Sequence, residues 1–483
     1  MTQQTEVTTL HPKLQVLSEE QILEIHHSSL DILSETGIVI QNEEGRRLLL
    51  EGGASESEDR IKIPPHLVTD AVASAPSRIP MYDRLGEMVM PLQEGKVFFG
   101  SGSDCMFTVD VETGHRRKST AEDAQRMAHL CDGLDQIDFV MSMATPADVE
   151  ARDAHIHGFV GMIRGSVKPN VYTASGRKDM EDIHRIACAV AGGEEKLRER
   201  PFLLLYAQPI SPLLFADESV DKLLFCAEKG IPACYPPSTN TGGGGPITLA
   251  GALALGNAES LVGLVLTQLA QRGTPYVYGM NTSTLDMRST IVSYGSPEWS
   301  LSMAASTDIA EYYGLPSWGF AGATDSKVVD AQAGIDASIS IMTALLARCN
   351  LVHDVGYIEY GNTSSMEMLV VADEIIGEVR FLMNGVPVNE VTLAREAIAR
   401  ARPGGGFLAD DHTLDNWEWA QWRPTLIDRT RYEQWVEKGS KDIAARANER
   451  ARQILDKHEV PPLAEAAEEE IARVLAERGT EDT

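Results

Sequence analysis

Eight short apolar runs recur through the middle of this chain, and helical stretches separate them. The runs cover residues 97–100, 137–143, 169–174, 202–208, 231–235, 275–280, 316–321 and 351–358. Each is nearly continuously apolar, as a strand must be when both of its faces are covered. The segments 120–131, 153–164, 179–191, 218–229, 249–272, 299–313, 331–348 and 366–383 read as helices. Ser119-Thr-Ala-Glu122 has the form of a capping box. Gly230, Gly273 and Gly314 stand where helices should stop before the next strand. Eight βα units between residues 96 and 386 predict an α/β fold, a (β/α)8 TIM barrel, whose usual length is ~250 residues. A doubly wound open sheet is the alternative; the count of eight and the even spacing favour closure.

The flanks divide the chain further. Residues 1–95 are expected to form an extension that packs on the barrel, starting with a helix over 19–36. Residues 387–483 are expected to be a helical extension. It holds the aromatic segment Trp417-Glu-Trp419-Ala-Gln-Trp422 and two charged helices, 441–458 and 464–478.

The charge balance restricts partners. With 42 basic and 71 acidic side chains the net charge is −29, which repels phosphate backbones and argues against nucleic acid. It favours cationic ligands through long-range attraction, and it also keeps a chain soluble. The six cysteines, residues 105, 131, 188, 226, 234 and 349, form no CxxC pair, so neither a zinc ribbon nor a redox motif is expected. The N-terminus, residues 1–13, is polar without an apolar core, and no run is expected to span a membrane. These features predict a cytoplasmic protein.

In a barrel the site lies where strands end. That rule selects Asp104 after the first strand, Tyr206 and Gln208 on the fourth, and Tyr278 on the sixth. It adds Trp318 and Phe320 on the seventh, and His353, Tyr357 and Glu359 on the eighth. Aromatic, amide and hydroxyl groups dominate this rim, and lysine is scarce. Aromatic faces hold quaternary ammonium ions at ~0.5–2 kcal/mol per contact, so Tyr206, Tyr278, Trp318, Phe320 and Tyr357 are cage candidates. His155 and His157 fall at a helix start with a spacing that points them to different faces. His353 is therefore alone among strand-end histidines, and no bound metal is expected. The run Gly242–Gly245, with Gly243 and Gly244 at its centre, precedes a helix. It suits an anion or the close approach of a large flat cofactor, or a simple flexible loop. It matches neither the P-loop nor the dinucleotide pattern.

Several segments carry a specific resemblance. Gly244-Gly-Pro-Ile-Thr-Leu-Ala-Gly251, Asp286-Met-Arg288, Tyr294-Gly-Ser-Pro-Glu298, Asp325-Ser-Lys-Val-Val-Asp-Ala-Gln-Ala-Gly334 and His353-Asp-Val-Gly-Tyr357 are five of them. His412-Thr413, Pro424-Thr-Leu-Ile-Asp-Arg429 and Trp435 are others. Together they resemble the trimethylamine methyltransferase family of corrinoid-dependent enzymes, over essentially the whole chain. The resemblance implies a TIM barrel and methyl transfer to the Co(I) corrinoid of a small partner protein. Archaeal trimethylamine members carry pyrrolysine near the end of the seventh strand, which here falls at about Gly322–Thr324. This chain has ordinary residues there, and Gly322 and Thr324 become candidate corrinoid-facing positions.

That departure bears on the donor. A quaternary ammonium releases a neutral tertiary amine, whereas a neutral tertiary amine must first be protonated or otherwise activated. The resemblance therefore implies the branch that acts on glycine betaine and similar quaternary amines. Carnitine, proline betaine and choline are alternative donors, and a non-catalytic betaine-binding barrel is a different class. Arg288 is the candidate for a donor carboxylate, with a structural ion pair as the competing role. His353 and Glu359 are the catalytic candidates. Asp325 and Lys327 are expected to fix the strand-seven loop by a salt bridge. A homo-oligomer is expected from the amphipathic C-terminal helices.

Overall fold

The computed structural model describes residues 11–480; most of the polar N-terminal stretch, residues 1–10, and residues 481–483 lie outside it. Seven of the eight apolar runs form strands: β1 (Phe98–Ser101), β2 (Asn170–Tyr172), β3 (Leu203–Tyr206), β4 (Ala233–Cys234), β5 (Tyr276–Gly279), β6 (Ser317–Phe320) and β7 (Leu351–Val355). They hydrogen-bond in the order β1-β7-β6-β5-β4-β3-β2, and every pairing is parallel. The fold is α/β, with a curled parallel sheet and helices between its strands.

The eighth run, 137–143, is extended but forms only single parallel bridges, Phe139 to Gly100 and Val140 to Asn170. These fall on the two outer strands of the sheet, β1 and β2. Side chains add to the few backbone bonds this run makes, such as Val140 N to Pro169 O and Val171 N to Val140 O, both 3.0 Å. Asp138 Oδ2 accepts the Phe99 N–H at 2.8 Å. Ser101 Oγ accepts from Met141 N at 2.9 Å and donates to Met141 O at 3.1 Å.

Alternation along the strands sorts side chains into two cores. Phe139, Val171, Leu204, Cys234, Val277, Trp318 and Leu351 gather in one buried cluster, one residue from nearly every run. The hairpin Ile79–Tyr82/Met88–Leu92 adds Ile79, Met81, Met90 and Leu92 to it. That hairpin sits at the N-terminal ends of the strands, where Tyr82 N donates to Pro201 O at 2.9 Å. The neighbours Leu203, Leu205, Tyr276, Tyr278 and Val352 point the other way, into the helix layer.

The helices match the periodicity, with shifted ends. The cap of Ala121–Asp132 is Thr120 with Asp123, one residue later than the Ser119/Glu122 pair, because Asp123 also takes the Arg117 guanidinium. Asp217–Lys229 and Pro297–Tyr313 end at left-handed Gly230 and Gly314, as expected. Leu249–Ala270 ends at Gln271, and Gly273 lies in the turn beyond it. This helix corrects the expectation of no membrane-length run. It is long and apolar enough to span a bilayer, but 83% of its apolar window is buried inside the fold, so it is a core helix.

Upstream, the first helix spans Glu19–Asp31 and ends in a π-helical turn, Ile32–Thr36. Downstream, Ile443–Lys457 packs on Met366–Met383, and Glu465–Thr480 packs on Arg177–Ala191. Between them, the side-chain bonds of Arg400, His412, Asn416 and Trp419 stay within residues 387–421. Phe407, Leu408, Trp417 and Trp419 of this segment are exposed. All six cysteines are free, and five are buried.

Candidate active site

A cavity of about 260 Å³ opens at the C-terminal ends of the strands. It is lined by Ser103, Asp104, Tyr206, Gln208, Ser238, Asn281, Ser283, Tyr294, Trp299, Phe320, His353, Asp354, Tyr357 and Gly361. Another cavity, of about 310 Å³, lies at the opposite strand ends around Pro316, Ser317 and Asn350. Its Lys13 and Glu311 pair with each other, and no aromatic side chain lines it.

One wall of the first cavity is a stack of four rings. Tyr357 and Tyr294 lie 6.4 Å apart, Tyr294 and Trp299 5.2 Å, and Trp299 and Phe320 4.4 Å, with interplanar angles of 24°, 11° and 24°. Three separate segments supply it. Phe320 ends β6, and Tyr357 follows β7. Tyr294 closes the hairpin that rises after β5, and Trp299 sits in the first turn of Pro297–Tyr313, under the Ser296 cap. The Tyr357 hydroxyl is fixed by the Ser103 backbone, accepting from its N–H and donating to its carbonyl.

A second aromatic group forms the base. Tyr206 and Trp318 are 5.2 Å apart, and Trp318 and the His353 ring 4.3 Å. Asn281 ties them, accepting from Trp318 Nε1 at 3.2 Å and donating to the Tyr206 hydroxyl at 2.7 Å. That hydroxyl donates in turn to Gln208 Oε1 at 3.4 Å. Burial pushes the phenols of Tyr206, Tyr294 and Tyr357 up, so all three are neutral at ordinary pH.

His353 and Asp354 are consecutive, yet both face the cavity. In a regular strand they would point to opposite faces. Asp354 has φ +77°, and the register of β7 against β1 slips between Val352 and Val355. This bulge turns the Asp354 carboxyl toward the cavity. Left-handed backbone at a non-glycine residue is costly and concentrates at functional sites. His353 Nδ1 is 2.8 Å from the Gly319 carbonyl, and His353 Nε2 is 3.1 Å from Asp354 Oδ1. Burial pushes the imidazole down to about 3, against the small upward pull of the Gly319 bond. Burial also pushes the Asp354 carboxyl well above the usual carboxylate range. Asp104, also left-handed at φ +54°, is held at the cavity edge by Thr173 Oγ1 and Ser142 Oγ, both 3.2 Å from its Oδ1.

The cavity thus gathers Tyr206, Phe320, Tyr357, Gln208, Asp104 and His353 from the strand-end candidates. Other candidates fall elsewhere. Tyr278 points into the helix layer, where its hydroxyl donates to Asn257 Oδ1 at 2.6 Å. Trp318 is beneath the lining rather than part of it. Arg288 is exposed at the tip of the Thr284–Leu285/Val292–Ser293 hairpin, outside the lining. Gly243 is exposed and Gly244 partly so, in a rim turn closed by hydrogen bonds from Gly243 N and Gly245 N to Asn240 O. Gly322 and Thr324 are buried behind the wall, where Gly322 N donates to Ser340 Oγ at 3.1 Å and Thr324 Oγ1 to Asp336 at 2.7 Å. Asp325 and Lys327 form no salt bridge; Asp325 binds Tyr294 N at 2.8 Å, and Lys327 Nζ donates to the Asp325 carbonyl at 2.8 Å.

Glu359 is also off the cavity. Its carboxylate accepts from Arg116 Nε at 2.8 Å and from Thr363 Oγ1. Partial burial works against these bonds, but they hold it below the usual carboxylate range. Glu359→Gln is therefore expected to leave turnover within about twofold and to cost no more than ~1 kcal/mol, since Arg116 is partly exposed. A hundredfold fall in kcat with unchanged melting would restore a catalytic role.

Sequence reasoning missed Tyr294, Trp299 and Asp354. Tyr294 and Trp299 come from a loop and a helix start, outside a rule that counts only strand ends. Among the described residues, no group of three or more His, Cys, Asp or Glu side chains is arranged to hold a metal ion.

A family model described as trimethylamine methyltransferase (MTTB) matches residues 1–482. The chain belongs to this family, and it is a methyltransferase. A trimethylamine methyltransferase MttB from Desulfitobacterium hafniense is 32% identical over 467 residues, 96% of this chain and 94% of that one. A glycine betaine methyltransferase from the same species is 32% identical over 474 residues, 98% of each chain. The trimethylamine methyltransferase MttB of Methanosarcina thermophila is 33% identical over 467 residues, covering 93% of this chain and 95% of its own length. Among solved structures, the monomethylamine methyltransferase MtmB of Methanosarcina barkeri superposes with a TM-score of 0.52 at 11% identity, covering 92% of this chain and 88% of that one. That likeness concerns the fold alone.

Proposed function

We propose that this methyltransferase moves a methyl group from a quaternary amine to the Co(I) corrinoid of a partner protein. The observation that carries the reading is the stacked wall of Tyr357, Tyr294, Trp299 and Phe320 in a cavity sized for a small amine. The reading includes a closed (β/α)8 barrel over residues 96–386, with the 137–143 bridges as its eighth member, and extensions on either side. The inner core, with a residue from nearly every run, supports closure.

The chemistry is one displacement: Co(I) takes the methyl carbon, and the C–N electron pair leaves with a neutral tertiary amine. The chain's own groups position and desolvate. Ring faces hold the cation, each worth ~0.5–2 kcal/mol. A cavity closed off from water by the acceptor would favour the transition state, because positive and negative charge are lost together. The corrinoid, carried by its own protein, would approach the open mouth of this cavity at the strand ends. The rim supports that arrangement: Met106, Ile210, Ile247, Met287, Ile291 and Val328, from successive loops, are exposed apolar side chains. The Gly243–Gly244 turn belongs to the same rim.

Glycine betaine, the donor in one relative's name, fitted an expectation that placed Arg288 on its carboxylate. With Arg288 outside the lining, the quaternary ammonium group is the part of the donor that the geometry supports. The test is methylation of Co(I)-cobalamin with tetramethylammonium, choline, glycine betaine, carnitine and trimethylamine. Methylcobalamin is expected with at least one quaternary donor. Its absence with all of them, in the presence of reduced cobalamin, removes the reading.

A further inference from the structure

The cavity's charge inventory narrows the donor, on the basis of the function proposed above. No Lys or Arg is among the lining residues. The lining groups able to carry charge are Asp104, His353 and Asp354, beside phenols that stay neutral. A carboxylate entering this space would meet Asp104 and Asp354 and find only neutral donors such as Gln208 and Asn281. Burying an anion without a cationic partner is heavily penalised.

The hydrogen bonds define the resting state. His353 Nδ1 faces a carbonyl, which can only accept, so Nδ1 carries the hydrogen. In a neutral imidazole Nε2 is then bare. Nε2 lies 3.1 Å from Asp354 Oδ1, and burial keeps that carboxyl protonated. The pair therefore carries no net charge while the cavity is empty, with one hydrogen on Nδ1 and one on the carboxyl. The other titratable groups around Asp354 are Asp104, Cys105, Tyr206, Tyr294 and Tyr357. The thiol and the phenols are neutral, and burial is what opposes ionisation of Asp354. Among the described residues, no Lys or Arg forms an ion pair with Asp354. The missing positive charge has to arrive with the ligand.

We propose that the cavity selects a quaternary amine without a carboxylate, and that Asp354 becomes its counter-ion by releasing one proton on binding. The O–H bond of the Asp354 carboxyl breaks, its electron pair stays on the carboxylate, and the proton goes to solvent. His353 stays neutral, because a second cation beside the ammonium group would be repelled. The bulge at Asp354 serves this role by placing a carboxyl where a regular strand would turn it away.

The experiment measures binding of tetramethylammonium, choline and glycine betaine to the full-length protein by calorimetry, across pH and in buffers of different ionisation enthalpy. Tetramethylammonium and choline are expected to bind at least tenfold more tightly than glycine betaine. Because the carboxyl titrates high when the cavity is empty and low with a cation bound, affinity should rise by up to about tenfold per pH unit between those limits. Proton release should approach one per site. Asp354→Asn should lose at least tenfold in tetramethylammonium affinity and flatten the pH dependence, with thermal melting confirming that it folds. The wild-type pH slope tests the idea even if that variant does not fold. Tighter binding of glycine betaine, selectively lost in Arg288→Ala, would overturn the proposal and place the donor carboxylate under the hairpin. A cation affinity flat with pH would also overturn it. These binding outcomes stand apart from methyl transfer: a site that binds cations with proton release but methylates no cobalamin would defeat the proposed function and leave this inference intact.

Discussion

Replacing Arg478 with alanine will destabilise the protein by about 3–5 kcal/mol, read as a fall in the midpoint of chemical unfolding. Arg478, on the last helix, is 5% exposed and reaches three carboxylates: Asp179 at 2.7 Å, Asp182 at 2.8 Å and Asp153 at 3.0 Å. Asp179 and Asp182 are themselves buried, on the helix Arg177–Ala191. Removing one partner of a buried pair leaves uncompensated charge, which costs more than the pair contributed. Arg185 and Lys178 also approach Asp182, at 3.4 and 3.7 Å, and will blunt part of the loss. A deficit below about 1 kcal/mol would show that Arg185 and Lys178 neutralise the cluster without Arg478.

The second large effect is on activity. Trp299→Ala is expected to lower kcat/KM with the preferred donor at least thirtyfold, whereas Trp299→Phe should stay within about fivefold. Trp299 stands between Tyr294 and Phe320 in the wall of four rings. A desolvated cation–π contact is worth ~2 kcal/mol, or roughly thirtyfold, and the alanine also lets both neighbours tilt. The truncation should in addition cost stability, about 3–5 kcal/mol for a buried tryptophan, so assays belong well below the melting temperature. Phenylalanine keeps a face and most of the packing. Equal kinetics for alanine and phenylalanine would remove the ring wall from donor binding.

The strands were legible because burial on both faces writes a near-continuous apolar run, and seven such runs became strands. The eighth was not, for a reason that its residues carry. Asp138 and Ser101 take over bonds that a ladder would make, so residues 137–143 lie along the sheet without joining it regularly. The site was legible in half. Tyr206, Phe320, Tyr357 and His353 obey the strand-end rule. Tyr278 obeys it too but faces the helices, since one residue of register decides the face and the sequence does not print register. Asp354 shows the converse. It stands beside His353 in the sequence, and alternation argues that the two diverge; only the bulge, a backbone event, brings them together. Trp299 needed the course of the loop after β5, which no local pattern supplies.

The six tryptophans are divided by this architecture. Trp299 and Trp318 lie at the cavity wall and base, almost without solvent contact. Trp417, Trp419, Trp422 and Trp435 all belong to the C-terminal flank, where each is at least partly exposed. The chain therefore carries two optical populations, a shielded pair at the cavity and a wetter set outside the sheet. Emission from the first belongs to the cavity, emission from the second to the flank, and their different surroundings separate the two in colour without any added label.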